Sequence, residues 1–352
     1  MRNIGKIVWM LLAAYVLVLP GCRRELDYAY VDYANIGVEL NWDKFGKLPP
    51  DATVLFYPQN GGQYSLFVLP NAGGTVQLKE GRYSLIVLGQ KLDEYDCVEF
   101  EGVDKYETIK VVVRQSDKQG EIPVHDMAEK VGVSSMDLFE VTREMVEQTK
   151  VRVEDGNKTP VSRLAFSPLC LTRASKIELF VNNIYNVRNI EGYIGGFTGG
   201  VMLSTRQIDN NPVVHYFSKL QVEYLPGSLT NAKVVIPVMT FGACNGVKSE
   251  AKDVILFLKI VLVDKEKTEL TFAYHIGDKI ENALGAGGGV EIGGENDTEN
   301  KPIEVPDVKP EDNPGGAFDP GVDDWGDDED VNIDFSKENR CNNNYKLKIQ
   351  KK

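Results

Sequence analysis

The sequence predicts an all-β protein built as two tandem antiparallel β-sandwiches followed by a flexible acidic C-terminal tail. Three observations lead there. Short segments rich in Val, Ile, Tyr and Phe recur at roughly ten-residue spacing, with Gly, Pro, Asn and Asp between them. Long apolar runs at helical spacing are scarce. Charge is unevenly distributed: of a net −13 over 352 residues, the stretch 291–335 holds 16 Asp and Glu against Lys301 and Lys309. The rest of the chain is therefore close to neutral, and the acidity belongs to one segment.

The first 21 residues read as a processing signal. Arg2 and Lys6 make a positive start, and 7–19 is an uncharged apolar run. That run is shorter than the roughly 20 residues a membrane-spanning helix needs. It ends in Leu19-Pro20-Gly21-Cys22, the pattern at which signal peptidase II cuts before a lipid-modified cysteine. Gly21 supplies the small residue before the cut, and Cys22 the acylation site. The competing reading is an ordinary secretory signal with a chance cysteine. Acyl chains on Cys22 would hold an otherwise soluble chain to a membrane, each buried CH2 contributing about 0.8 kcal/mol. Arg23 stands where an Asp would retain an enteric lipoprotein at the inner membrane, so the expected address is the outer membrane, at the cell surface.

After a spacer over 22–33, the first sandwich is expected over 34–125. In 36–42 the apolar residues fall on every second position, the half-buried strand period. Further strands are read at 53–57, 64–69, 75–78, 81–88, 98–100 and 108–113, separated by turns such as Asn71-Ala72-Gly73-Gly74. Residues 126–150 read as a linker or short helix. The second sandwich is expected over 151–284, beginning with a strand in 158–171 and continuing through 176–181, 191–203, 213–217, 232–241, 253–263 and 269–276. Residues 254–258 are apolar throughout, which predicts a central strand buried on both faces. The glycines of 195–200 predict a turn or kinked strand.

Residues 285–330 are Gly-rich and then acidic, too poor in aliphatics to bury a core, and read as a flexible linker. Residues 331–352 differ. Val331, Ile333 and Phe335 alternate with polar residues, and so do Tyr345, Leu347 and Ile349, which predicts strands available to a sheet edge.

No catalytic constellation is visible. His125, His215 and His275 have no neighbour at metal-ligand spacing, and neither a nucleophile elbow nor a phosphate loop is present. Asp319, Asp323, Asp324, Asp327, Asp328 and Asp330 depart from the calcium-loop pattern and read as a solvated linker. No cofactor or metal is expected. Besides Cys22 there are Cys97, Cys170, Cys244 and Cys341, whose pairing sequence leaves open; Cys97 and Cys170 sit beside apolar residues and read as small buried hydrophobes. No compact basic stripe marks a nucleic-acid surface.

The strings Val38-Glu39-Leu40-Asn41-Trp42, 51–58, Gly73-Gly74-Thr75-Val76 and Glu80-Gly81-Arg82-Tyr83, with the lipobox and the small-residue stretch 192–200, resemble Bacteroidales fimbrial lipoproteins of the fimbrillin and minor-fimbrillin anchor families. The resemblance covers roughly 22–278. It implies transthyretin-like sandwiches and assembly by strand exchange, in which one subunit lends an extended strand to the next. The function expected is a lipid-anchored structural protein, an anchor or accessory subunit of a fimbria-like fibre, with the outer membrane and fimbrial subunits as partners. The alternative is a surface lipoprotein that captures glycan or host protein, with Trp42, Tyr57, Tyr64 and Trp325 as aromatic candidates. A hydrolase ranks last.

Overall fold

A computed structural model describes residues 32–117, 123–218, 220–244, 250–283 and 289–310. In chain order the strands are β1 (Tyr33–Leu40), β2 (Asp51–Pro58), β3 (Ser65–Pro70), β4 (Gly73–Lys79), β5 (Gly81–Leu88), β6 (Val98–Glu101) and β7 (Lys110–Val113). There follow β8 (Val124–His125), β9 (Gly132–Val141), helix α1 (Arg143–Glu154), β10 (Ser162–Phe166), β11 (Leu169–Cys170), β12 (Arg173–Asn182), β13 (Val187–Thr198) and β14 (Gly200–Met202). The last are β15 (Pro212–Phe217), β16 (Gln221–Tyr224), β17 (Ala232–Thr240), β18 (Ile255–Leu262), β19 (Glu269–His275), helix α2 (Gly277–Ala283), β20 (Gly289–Ile292) and β21 (Ile303–Glu304). The chain is an all-β protein of mainly antiparallel sheets, as the sequence predicts.

The first sandwich packs the sheet β10-β1-β4 against the sheet β11-β9-β5-β2-β3. Between them lie Ile36 and Val38 of β1, Val54 and Phe56 of β2, Leu85 and Val87 of β5, and Leu164 and Phe166 of β10. The alternation read at 36–42 is thus the inward row of β1. Two expected boundaries move. The linker of 126–150 contributes β9, which pairs with β5 inside the larger sheet. Its period-two pattern is hidden in sequence by Ser134, Ser135 and a register shift opposite Tyr83 and Leu85. The strand expected to open the second sandwich is β10, which pairs in parallel with β1, Ile36 opposite Ser162. Helix α1 starts at Thr142, whose side chain accepts from the Met145 N–H, and docks on β1 where the Asn35 N–H donates to Thr149 Oγ1 at 3.0 Å.

A third sheet, β14-β7-β6, corrects the expectation that 98–100 and 108–113 complete the first sandwich. It covers the opposite face of β2 and β5, where Leu55, Ile86 and Leu88 meet Val98, Ile109, Val111 and Val201. The sheet containing β5 is therefore buried on both sides, which accounts for the unbroken apolar run 85–88. Because β14 continues directly from β13, this layer ties the two sandwiches together.

The second sandwich packs β16-β17-β12-β20 against β19-β18-β13-β15-β8. Its core runs through Ile177 and Leu179, Val234 and Ile236, and Leu256, Leu258 and Ile260. Here β18 departs from expectation. Leu256 and Leu258 are buried, but Ile255 and Phe257 are 42 % and 38 % exposed, so only one face is covered. On the outer face Phe257 leans instead on Tyr193, and Tyr193 on Tyr216, with ring centroids 6.4 and 5.6 Å apart. The glycine stretch is a kinked strand. Gly196 has φ +106°, a Cβ there would lie 1.9 Å from the Asp253 carbonyl oxygen, and the pairing register shifts between Gly195 and Phe197.

The last correction concerns the expected linker 285–330. Residues 289–292 and 303–304 are β20 and β21, both parallel to β12. Val290, Ile292, Ile303 and Val305 enter the core at 3 % exposure or less. An acidic average composition conceals these four apolar pegs.

Candidate interaction surface

The residues singled out for lipidation and strand exchange, Gly21, Cys22, Val331, Ile333, Phe335, Tyr345, Leu347 and Ile349, lie outside the described residues, as do Trp325, Cys341 and the Asp319–Asp330 cluster. Of the aromatic candidates, Trp42, Tyr57 and Tyr64 are described. Trp42 is 5 % exposed and its indole N–H donates to the Asn71 carbonyl at 2.6 Å. Tyr57 is equally buried, between Tyr64 and Tyr106, and burial pushes its phenol far above the usual tyrosine value. Both are core residues, and Tyr64 is a half-buried one beside them.

The polar residues of the interior are structural. His215 on β15 is fully buried, and its Nδ1 lies 2.7 Å from the Asp126 carbonyl oxygen, an N–H···O bond in the neutral ring. Burial lowers its pKa to about 4, only partly offset by that bond. Glu129 is buried and accepts from the Cys97 N–H, and burial raises its pKa. Cys97 is disulfide-bonded, which corrects its reading as a small hydrophobe, whereas Cys170 and Cys244 are thiols. Among the described residues no cluster of His, Cys, Asp and Glu has the makings of a metal site. The best-formed concavities are shallow, one against Glu147 and Val151 of α1 and one between Gln59 and Arg82. No helix among the described residues is long and apolar enough to cross a membrane.

The most elaborated surface is the strap formed by 289–310. Its two strands fill the edge of β12, with Ile177 opposite Val290 and Val181 opposite Ile303. The loop between them is organised by Asp297, whose side chain is 1 % exposed. Asp297 accepts from the N–H groups of Gly293, Glu299 and Asn300 and from the Asn300 amide, and it pairs with Lys279 of α2 at 3.4 Å. Burial raises its pKa, but those hydrogen bonds outweigh burial and hold it at about 2. Beyond β21 a second latch forms. Asn182 donates to Glu304 at 2.6 Å, Asn183 to the Val305 carbonyl at 3.0 Å, and Tyr185 and Asn186 to Asp307 at 2.6 and 3.1 Å. Beside the strap, burial raises the Glu178 carboxyl, yet bonds from Lys176 and Lys233 more than compensate and keep it ionised. Sequence reading missed Asp297 and Asp307; the alternation of Val290 with Ile292 and of Ile303 with Val305 was the available signal.

This arrangement can bind extended chain. Main-chain bonds run along a sheet edge, and alternate side chains fill the core. A family model described as "Domain of unknown function (DUF5119)" matches residues 21–218, more than half of the chain. The protein "Putative fimbrium anchoring subunit Fim4B" of Bacteroides ovatus is 23 % identical over 348 residues, covering 95 % of this chain and 99 % of that protein. The resemblance to Bacteroidales fimbrial anchors read from the sequence is thereby borne out. A crystal structure of a "putative adhesin" from Bacteroides ovatus superposes with a TM-score of 0.56 at 16 % identity, covering 79 % of this chain and 94 % of that one. It shows the fold. The fimbrial anchor protein Mfa2 from Porphyromonas gingivalis matches more loosely, with a TM-score of 0.41 at 11 % identity over 70 % of this chain and 83 % of that one. The first two of these are described as a fimbrium anchoring subunit and an adhesin.

Proposed function

Because this chain belongs to the DUF5119 family, we propose that it is a lipid-anchored cell-surface protein serving as an anchor or accessory subunit of a fimbria-like fibre assembled by β-strand exchange. The observation that carries the reading is the end-to-end likeness to a fimbrium anchoring relative, 99 % of whose length is matched. The geometry is compatible with it. The second sandwich is completed by extended strands from far along the chain, added to a sheet edge with apolar pegs facing inward. Exchange between subunits uses the same contacts between molecules.

In this reading Cys22 carries the acyl chains, Gly21 precedes the cut, and the protein sits at the outer membrane with fimbrial subunits as its partners. Val331, Ile333, Phe335, Tyr345, Leu347 and Ile349 form the exchanging strands. The glycan-capture alternative gains nothing from Trp42 and Tyr57, which are core residues.

Deleting 331–352 tests the strand-exchange part. Fibre subunits should no longer co-purify with the truncated chain, while its folded domains keep their thermal transition. Unchanged co-purification contradicts the reading.

A further inference from the structure

We propose that the far end of the second sandwich, where Leu229 projects with Tyr185 and Tyr224, is a docking knob for a fibre subunit, and that Leu229 enters an apolar pocket on that partner. The proposal rests on the fibre-anchor reading for the identity of the partner, and deepens it by naming a contact surface on this chain.

Strand geometry sets this end apart from the first sandwich. β14 lies in the layer over β2 and β5, and β13 leads directly into it. The 12 residues of β13, at about 3.3 Å each, put Val187 roughly 40 Å from Gly200. The turn 184–186 before β13 and the loop 225–231 between β16 and β17 share that remote end, where Ala232 pairs with both Val181 and Tyr224. The segment bearing Cys22 leads into β1 of the first sandwich. The knob thus belongs to the sandwich farther from the proposed membrane attachment.

The loop is held in one shape. The Leu225 N–H donates to the Asn231 carbonyl, and the Ser228 N–H to the Leu225 carbonyl, each at 3.0 Å. The Ser228 hydroxyl accepts from the Thr230 and Asn231 N–H groups at 3.2 and 2.9 Å. Gly227 supplies the left-handed position of the turn at φ +76°. The Ile184 N–H donates to the Thr230 carbonyl at 2.8 Å, which ties the loop to the turn carrying Tyr185. This order leaves Leu229 89 % exposed, the most of any large apolar side chain among the described residues, with Tyr185 and Tyr224 at 43 % and 44 %. An apolar side chain already fixed outward gives up little freedom on docking.

The chemistry favours a protein pocket over lipid. Residues 224–232 hold no charged side chain. The adjoining hairpin, joined where the Val263 N–H donates to the Asn186 carbonyl, sets Lys265 and Lys267 against Asp264 and Glu266. No basic excess draws this end to anionic headgroups. An apolar centre with tyrosines beside it and Ser, Thr and Asn around it matches the hot spot of a protein interface.

The test takes the complete chain in detergent and the major subunit isolated from fibres sheared off the same cells. Binding is compared for the natural chain, Leu229→Asp and Leu48→Asp, the last altering a leucine of the first sandwich that is 66 % exposed. Leu229→Asp should weaken binding by at least about tenfold with an unchanged thermal transition, and Leu48→Asp by less than about twofold. Equal binding by Leu229→Asp and the natural chain overturns the proposal. So does a Leu229-dependent association of the chain with itself, or with vesicles of phosphatidylethanolamine and phosphatidylglycerol, either of which gives the knob another occupant. Binding that survives Leu229→Asp but is lost on deleting 331–352 defeats the knob alone. Binding lost with Leu229→Asp and kept after that deletion supports the knob and defeats strand exchange alone. No binding by the natural chain defeats the fibre reading, and the knob with it.

Discussion

Asp297 shows how one side chain converts an acidic stretch into structure. Three backbone N–H groups and one side-chain amide converge on a carboxylate that is almost fully covered. An unsatisfied buried donor costs about 1–3 kcal/mol, so Asp297→Ala should lower stability by at least that much, read as a reduced urea midpoint. The pH dependence has a definite sign. The folded pKa of about 2 lies below the ordinary 3.8, so this contribution is present above pH 3.8 and is lost as pH falls toward 2. His215 acts in a higher window. Its folded pKa of about 4 lies below the ordinary 6.5, so the unfolded chain takes up a proton first and stability declines as pH drops from 6.5 to 4. An NMR titration should find the folded ring neutral down to about pH 4; protonation near 6.5 would contradict its burial.

At the scale of elements, Gly196 belongs to a kink that other residues cannot make. A side chain there meets a left-handed backbone and the Asp253 carbonyl at once. Gly196→Ala should therefore cost at least about 2 kcal/mol and lower the thermal midpoint, whereas Gly195→Ala, with only a Val214 methyl group at 3.6 Å, should cost far less. This kink was legible in the sequence because glycines cluster inside an apolar alternation. So were most strands of 34–113, where turns are punctuated by Gly, Pro and Asn. The misassigned elements share a physical cause: partner choice is non-local. Nothing within 160–166 says that it runs parallel to β1, more than a hundred residues earlier. Nothing in 254–258 says that the outer face of β18 stays open. Composition also misled, since β20 and β21 need only four buried apolar residues, and their acidic surroundings hold the loop through Asp297.

For the whole molecule, the described sheets form connected layers. The sheet β14-β7-β6 joins the two sandwiches, and the strap closes the second by adding strands to β12. The residues proposed to meet the membrane and the fibre stand at opposite ends of the sequence, at Cys22 and beyond Val331. The most direct measurement is the amount of fibre retained on washed cells expressing Cys22→Ala in place of the natural chain. Loss of acylation should release the anchor and shed fibres of otherwise normal length into the medium. Fibres that remain on the cells in undiminished amount would contradict the proposed role as a lipid-held base.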